Sequence, residues 1–365
     1  MLDRIIMLMD LDYFFAQVEE LRNPSLRDKP VVVCVYSGRS EDSGAVSTAN
    51  YVARKHGVRS GMPIVLAKRK LKDVEPVFLP VDHIFYGEVS EKIMNILRSF
   101  ADSFEQVGID EAYLDVSQKV KGNFDEARKL AQRIKEEIRA QHKLTCSVGI
   151  GPNMLVAKIA ADIQKPDGLT VIKSEEVESV LFPLPVGRLI GVGAKTKERM
   201  KILSINTIGD LAKFDVQRLI EVFGRNLGTY FHNASLGIDN EPVQERREAE
   251  SISRISTLKE DSRDVDVIVE RTSQLCDDIY ADIVQRGLSF KTVGIIAVMT
   301  DISVRSRSKT LENPTNDLLM LKHTVRELFE KFLGESDLKA RRVGVKVSSF
   351  VRVEKSQKQL TSFIE

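Results

Sequence analysis

The stretch Ile5-Ile6-Met7-Leu8-Met9-Asp10-Leu11-Asp12-Tyr13-Phe14-Phe15 constrains this chain most. Five apolar residues in succession suit a strand covered on both faces. Asp10 and Asp12 follow with one residue between them. Alternate strand side chains share a face, so both can point one way. Carboxylates there repel each other and resist desolvation unless a cation or hydrogen-bond donors compensate them. A second acidic cluster lies in Gly108-Ile109-Asp110-Glu111-Ala112-Tyr113-Leu114-Asp115-Val116, again an apolar, β-leaning run. The two runs are expected to be neighbouring strands that gather Asp10, Asp110 and Glu111 around divalent ions. Hard cations such as Mg²⁺ take oxygen ligands and commonly serve phosphate chemistry.

At 365 residues, 42% hydrophobic and 29% charged, the chain has material for two or more domains. A net charge of +1 gives no global sign of a nucleic-acid binder, so any basic surface must be local. Cys34, Cys146 and Cys276 lie far apart without zinc-like spacing and read as buried thiols of a reducing compartment. No segment is apolar for long enough to span a bilayer. Asp3 and Arg4 flank a short apolar run unlike a signal peptide. A cytoplasmic, membrane-free protein is the expectation.

Taken in order, residues 16–21 look helical and Asn23-Pro24 stops them. Val31–Tyr36 reads as a strand. Residues 43–57 read as a small-residue helix closed by Gly57, with Thr48, Tyr51 and Arg54 on one face. A hydroxyl, a phenol and a guanidinium together could hold a polyphosphate; a solvated helix face is the alternative. Helical periodicity returns over 89–100 and 124–141, a strand ending in glycines over 145–151, and a helix over 154–163. The loop 164–168 presents Lys165. Strands alternating with helices point to an α/β or α+β domain on a central sheet.

Residues 175–239 read as helical, and Gly191-Val192-Gly193 resembles the turn of a helix-hairpin-helix. Its glycines would let backbone N–H groups approach a phosphate, with Lys195, Lys197 and Lys201 beside them; a plain helical turn is the alternative. Residues 240–250, with Pro242, Arg246 and Arg247, read as a linker. The last domain shows helices over 265–285 and 319–332 and strands over 293–299, 304–310 and 343–350. Alternation puts Arg305, Arg307 and Lys309 on one strand face, with Arg341, Arg342 and Lys346 adding charge nearby. Such a face could track a phosphate backbone without reading bases, although charge runs also occur as plain solvated surface. The tail places Leu360, Phe363 and Ile364 at one-turn spacing, suited to a short helix in a groove.

Together these motifs resemble the Y-family DNA polymerases of the archaeal DinB (polymerase IV) type. The resemblance rests on Met9–Glu19, on Thr48-Ala49-Asn50-Tyr51-Val52-Ala53-Arg54, on Ile109-Asp110-Glu111-Ala112-Tyr113-Leu114-Asp115 and on Ala157-Lys158-Ile159-Ala160-Ala161-Asp162, and runs from Asp10 through Phe350. It implies an α+β, multidomain right hand. The expected parts are a palm (1–13 and 80–170), fingers (14–79), a helical thumb (171–239), a linker (240–250), an α/β little finger that binds DNA (251–353) and a tail (354–365). It further implies template-directed, error-prone translesion DNA synthesis without proofreading, on primer-template DNA and deoxynucleoside triphosphates. Asp10, Asp110 and Glu111 would hold two Mg²⁺ ions, helped by the Leu11 carbonyl, with Asp12 behind them or capping the next helix. Thr48, Tyr51, Arg54 and Lys165 would hold the triphosphate, and Phe15 would be the ring that excludes a ribose hydroxyl. Gly191, Gly193, Lys195, Arg246, Arg247, Arg305, Arg307, Lys309, Arg341 and Arg342 are the implied DNA contacts. The tail resembles a motif for the PCNA sliding clamp, with Gln357, Leu360, Phe363 and Ile364 as anchors; Ile364 replaces the usual second aromatic. Gly108 stands where many members carry serine. The chain would act as a monomer. A two-metal nuclease and a non-catalytic, clamp-recruited DNA-binding scaffold are the competing readings.

Overall fold

The computed structural model describes residues 3–245, 249–335 and 337–352. The chain forms two compact units, the second built from the C-terminal segment with stretches from 35–45 and 63–65.

In the first unit, strand β1 (Ile6–Leu11) runs into helix α1 (Phe14–Arg22). Then come β2 (Val31–Tyr36), β3 (Gly44–Ala49), the short α2 (Tyr51–Lys55), α3 (Ile64–Lys70) and β4 (Val77–Pro80). After α4 (His83–Phe100) follow β5 (Ser103–Gln106), β6 (Glu111–Asp115), α5 (Phe124–His142), β7 (Cys146–Gly151), α6 (Met154–Ile163) and β8 (Leu169–Val171). Helices α7 (Val177–Leu181), α8 (Ala194–Ile202), α9 (Ile208–Ala212), α10 (Val216–Phe223) and α11 (Arg225–Ser235) complete it. The central sheet has the order β5-β6-β1-β7-β8, with β1 at its centre and antiparallel to both neighbours.

The unbroken apolar run before Asp10 has the cause the sequence implied. Met7, Met9 and Leu11 join a core with α4 and α5 residues such as Ile93, Leu97, Leu130 and Ile134. Ile6 and Leu8 point the other way, onto Ala157 and Ala161 of α6. Helix α6 lies unusually close to the sheet. A Cβ on Gly149 of β7 would fall 2.0 Å from the Ala157 carbonyl oxygen and 2.2 Å from the Ala161 nitrogen. Asn153 caps α6 through the Val156 N–H and donates to the Gly237 carbonyl, while Asp239 accepts from the Leu155 N–H. The other face of α6 carries Leu155, Val156 and Ile159 into the core of the helical section, with Met200, Leu211 and Phe231.

Two expectations are corrected. Residues 43–57 are not one helix: Thr48 lies on β3, and only Tyr51–Lys55 is helical. The small residues that suggested a helix include β-branched Val46 and Thr48, which suit a strand. The first part of the presumed linker is no free tether. Val243 is buried against Ile6, Leu8 and Tyr113, the Gln244 N–H donates to Glu105, and Glu245 pairs with Arg98. Val243 joins the apolar cluster on the face of the sheet that α6 also covers.

The second unit is a four-stranded antiparallel sheet of order β11-β10-β12-β9, with two helices on one face. Its elements are β9 (Ser251–Ser262), α12 (Val265–Arg286), β10 (Leu288–Met299), β11 (Val304–Thr315), α13 (Leu318–Gly334) and β12 (Ala340–Arg352). Among the described residues no helix is long and apolar enough to cross a membrane.

Gly149→Ala should lower the stability of the first unit by about 3 kcal/mol, because α6 must move off the sheet. A urea midpoint equal to that of the parent chain would show that the helix does not depend on this contact.

Candidate active site

Asp10 lies directly opposite Glu111 on β6 and opposite Ser147 on β7. Directly opposed residues share a face, so these side chains emerge on the α6 side of the sheet. Asp110 sits one residue before β6, and its carbonyl accepts the Leu11 N–H at 2.9 Å. The loop before it is tied down. Val107 and Gly108 N–H groups both donate to the Glu111 carbonyl, Gln106 Nε2 donates to the Gly108 carbonyl at 2.9 Å, and buried Ser90 donates to the Ile109 carbonyl. A side chain at Gly108 would begin 3.0 Å from Glu111 Cγ and 3.2 Å from Asp110 Oδ1, so a serine there must nudge the acidic pair.

The structure thus brings Asp10, Asp110 and Glu111 together, and their charges crowd. Burial lifts the Asp10 carboxyl to about 6 against the pull of Lys165, with Asp110 adding to the rise. Burial also raises Asp110, and Glu111 adds to it. Two lysines answer this charge. Lys165 Nζ lies 2.6 Å from Asp10 Oδ2 and 3.1 Å from Asp162, and Lys158 on α6 pairs with Glu111. Among the described residues no three acidic, imidazole or thiol groups form a ready metal cage, because Asp10 and Glu111 are turned onto these lysines. The donor set nevertheless fits a hard divalent cation: three carboxylates, partly buried and crowded together.

Asp12 has a separate task. It is 1% exposed and accepts from Ser147 Oγ at 2.7 Å, Thr145 Oγ1 at 2.9 Å and the Asp167 N–H at 2.8 Å. Asp167 is in turn held by Lys135 and Arg139 of α5. Asp12 therefore fastens the loop carrying Lys165 to the strand carrying Asp10. Gln17 reinforces this junction, donating to the Asp12 carbonyl and accepting the Thr145 N–H.

Tyr13 turns the chain from β1 into α1 with φ 37° and ψ 43°, a left-handed conformation unusual for an aromatic residue. Its ring meets Tyr51 edge-on at 5.3 Å, and the Arg54 guanidinium lies 4.9 Å over the Tyr51 ring. Burial raises the Tyr51 phenol, so it stays a neutral donor, and it also feels the charges of Arg54, Asp12, Lys165 and Asp10. Tyr51, Arg54 and Lys165 thus share the neighbourhood of the carboxylates, while Thr48 is half-buried on β3. Phe15, on the first turn of α1, is 8% exposed and stacks on Tyr86.

Three residues escaped the sequence reading. Lys158 was legible as one charge on a helix otherwise apolar from Met154 to Ala161. Asn50 is buried and its side chain makes four hydrogen bonds, to Val31 N, Ala53 N, Glu20 and the Lys29 carbonyl, which fix the start of α2. Tyr86 carried no signal: it precedes the helix expected over 89–100, whereas α4 begins at His83.

Gly191 has φ +83°, and Gly193 caps α8 without a side-chain bond, leaving its first N–H groups beside exposed Lys195 and Lys197. In the second unit Arg305, Arg307 and Lys309 do share a side. They lie opposite Ala297, Ile295 and Val293, the buried residues under the helices. Arg307 pairs with Glu335 and Lys309 with Glu327 of α13. Arg342 and Lys346 lie opposite Val298 and Gly294, on the side without helices. Arg341 is half-buried. Arg246 and Arg247, and the anchors Gln357, Leu360, Phe363 and Ile364, lie outside the described residues.

Comparison with known proteins agrees with this geometry. The model of the impB/mucB/samB family matches residues 9–162, that of its C-terminal domain 249–362, and that of the DNA polymerase-iota thumb domain 187–239. A DNA polymerase IV of Nitrosopumilus maritimus is 47% identical over 99% of both chains. One of Saccharolobus solfataricus is 41% identical over 95% of this chain and 97% of its own. A Y-family DNA polymerase chimera superposes with TM-score 0.89 at 36% identity, covering 96% of this chain and 100% of that one. An insertion ternary complex of Dbh DNA polymerase gives TM-score 0.69 at 36% identity with the same coverage. With three acidic residues meeting across β1 and β6 and family matches along nearly its whole length, the chain belongs to the impB/mucB/samB family of Y-family DNA polymerases.

Proposed function

We infer that the chain is a DNA-directed DNA polymerase of the translesion kind, which adds deoxynucleotides to a primer 3′ end by divalent-metal-dependent nucleotidyl transfer. The register that sets Asp10 against Glu111 beside Asp110 carries this reading. Two Mg²⁺ ions would be held by Asp10, Asp110, Glu111 and the Leu11 carbonyl. When bound, they would supply acidification of the primer hydroxyl and charge neutralisation at the pyrophosphate. Asp10 and Glu111 would have to leave Lys165 and Lys158 to hold such ions, and Lys165 would then be available to the triphosphate.

The remaining work belongs to side chains. Lys165, Tyr51 and Arg54 hold the β and γ phosphates and stabilise charge that builds there; Thr48 sits close by in sequence. Asp12 keeps Lys165 in place. Phe15 lies against the sugar and meets a 2′-hydroxyl. A nuclease using the same carboxylates would have no use for this phosphate grip.

The parts are assigned as palm (1–13, 80–170), fingers (14–79), thumb (171–239) and little finger (251–353). DNA phosphates meet the Gly191–Gly193 turn with Lys195. On the little finger they meet the helix-free face with Arg342 and Lys346, because Arg307 and Lys309 are engaged by α13. A monomer recruited by the PCNA clamp through Gln357, Leu360, Phe363 and Ile364 completes the reading.

Asp110→Ala and Glu111→Ala should each slow primer extension by about 10³-fold or more while DNA affinity stays near that of the parent. Normal extension by either would refute the metal assignment. Lys165→Ala should raise the nucleotide KM about tenfold more than it lowers kcat; steady-state kinetics at saturating DNA reads this, and an unchanged KM removes Lys165 from the grip. Phe15→Ala should admit ribonucleotides, and unchanged sugar selectivity in a competition assay would rule out the gate.

A further inference from the structure

We propose that Tyr86 and Glu19 form a rigid backing for Phe15 and so set how sharply the polymerase rejects ribonucleotides. The inference rests on Phe15 being the sugar gate. A ring that merely stands in the way can yield: tilting off its preferred rotamer costs little, enough for only about tenfold selectivity. A gate discriminates more strongly only if something stops it retreating.

Phe15 has such a stop. Its ring stacks on Tyr86 with centroids 4.3 Å apart and planes 20° from parallel, while Phe14 lies against it at 5.6 Å. Tyr86 is fully buried on α4, so it has no free space to move into. Its hydroxyl donates to Glu19 Oε1 at 2.8 Å. Glu19 is itself 6% exposed and is held by Arg22, whose guanidinium also pairs with Asp82 at 3.0 Å and lies 3.9 Å over Phe85. Glu19 follows Phe15 by four residues on α1, hence on the same helix face. The contacts therefore close a ring: Phe15 leans on Tyr86, Tyr86 is tied to Glu19, and Glu19 is joined to Phe15 through one turn of helix. Pressure from a 2′-hydroxyl on Phe15 meets this closed frame. The bonds of Tyr86 and Glu19 go to each other, to Arg22 and to their own helices, not to Asp10, Asp110, Glu111 or Lys165, so their effect falls on the choice of sugar.

The test measures kcat/KM for a deoxynucleoside triphosphate and its ribonucleotide on primed DNA with the full chain. Thermal midpoints are recorded alongside. Tyr86→Leu, which removes the flat wall, should cut the deoxy-to-ribo ratio about tenfold. Tyr86→Phe keeps the stack but severs the tie to Glu19 and should cut it about threefold; Glu19→Gln keeps an acceptor and should stay within about twofold of the parent. A structural role alone would lower the midpoint and the two kcat/KM values together, leaving their ratio fixed. If Phe15→Ala loses selectivity while Tyr86→Leu and Tyr86→Phe both keep it, the backing is refuted and the gate stands. If Phe15→Ala keeps it, the gate reading fails and takes the backing with it. Should Tyr86→Leu fail to fold, Tyr86→Phe against Glu19→Gln decides the matter, equal ratios overturning the proposal.

Discussion

The pairing of Asp10 with Glu111 across β1 and β6 is the constraint on which the rest depends. A strand that must be apolar on both faces ends in a carboxylate that must not be buried alone. The fold resolves this by placing the acids where the sheet's cover runs out, with Lys158 and Lys165 arriving from α6 and the loop after it. The position of α6 thus governs both the core and the charge balance. It can deliver Lys158 to Glu111 because Gly149 lets the helix come within contact of the β7 backbone.

Order around the acids is kept by neutral and structural groups. The Asp12 carboxylate accepts from Thr145, Ser147 and Asp167, which stiffens the lysine loop. Ser90 and Gln106 do the same for the loop before Asp110. On the nucleotide side Asn50, Glu20 and Tyr13 lock α1 to the start of α2. Each anchor fixes the backbone that carries these side chains, while Asp10 and Glu111 themselves rest on Lys165 and Lys158.

Much of this was legible in the sequence because it depends on local rules. The apolar run placed β1, and helical periodicity placed α5 and α6 nearly to the residue. What escaped needed three dimensions. Residues 43–57 looked helical because small residues suit either state; pairing with β2 decided for a strand as far as Ala49. Residues 240–245 looked like a tether because a single apolar Val243 carries no periodicity, yet the sheet offered it a partner. The stripe Arg305, Arg307, Lys309 was one-sided as expected, but only the register with β10 shows that its side carries the helices. Tyr86 gains its importance from contacts made across long stretches of chain, and Asn50 adds such contacts to its local cap of α2.

The central claim is that acids from two distant stretches share one cation site. The most direct measurement is metal-directed backbone cleavage: Mg²⁺ is replaced by Fe²⁺, ascorbate and peroxide are added, and the cut sites are mapped by mass spectrometry. The account expects cuts at residues 10–12 and 108–111 together, both suppressed by excess Mg²⁺. Cleavage at only one of these stretches, or elsewhere with both left intact, would contradict it.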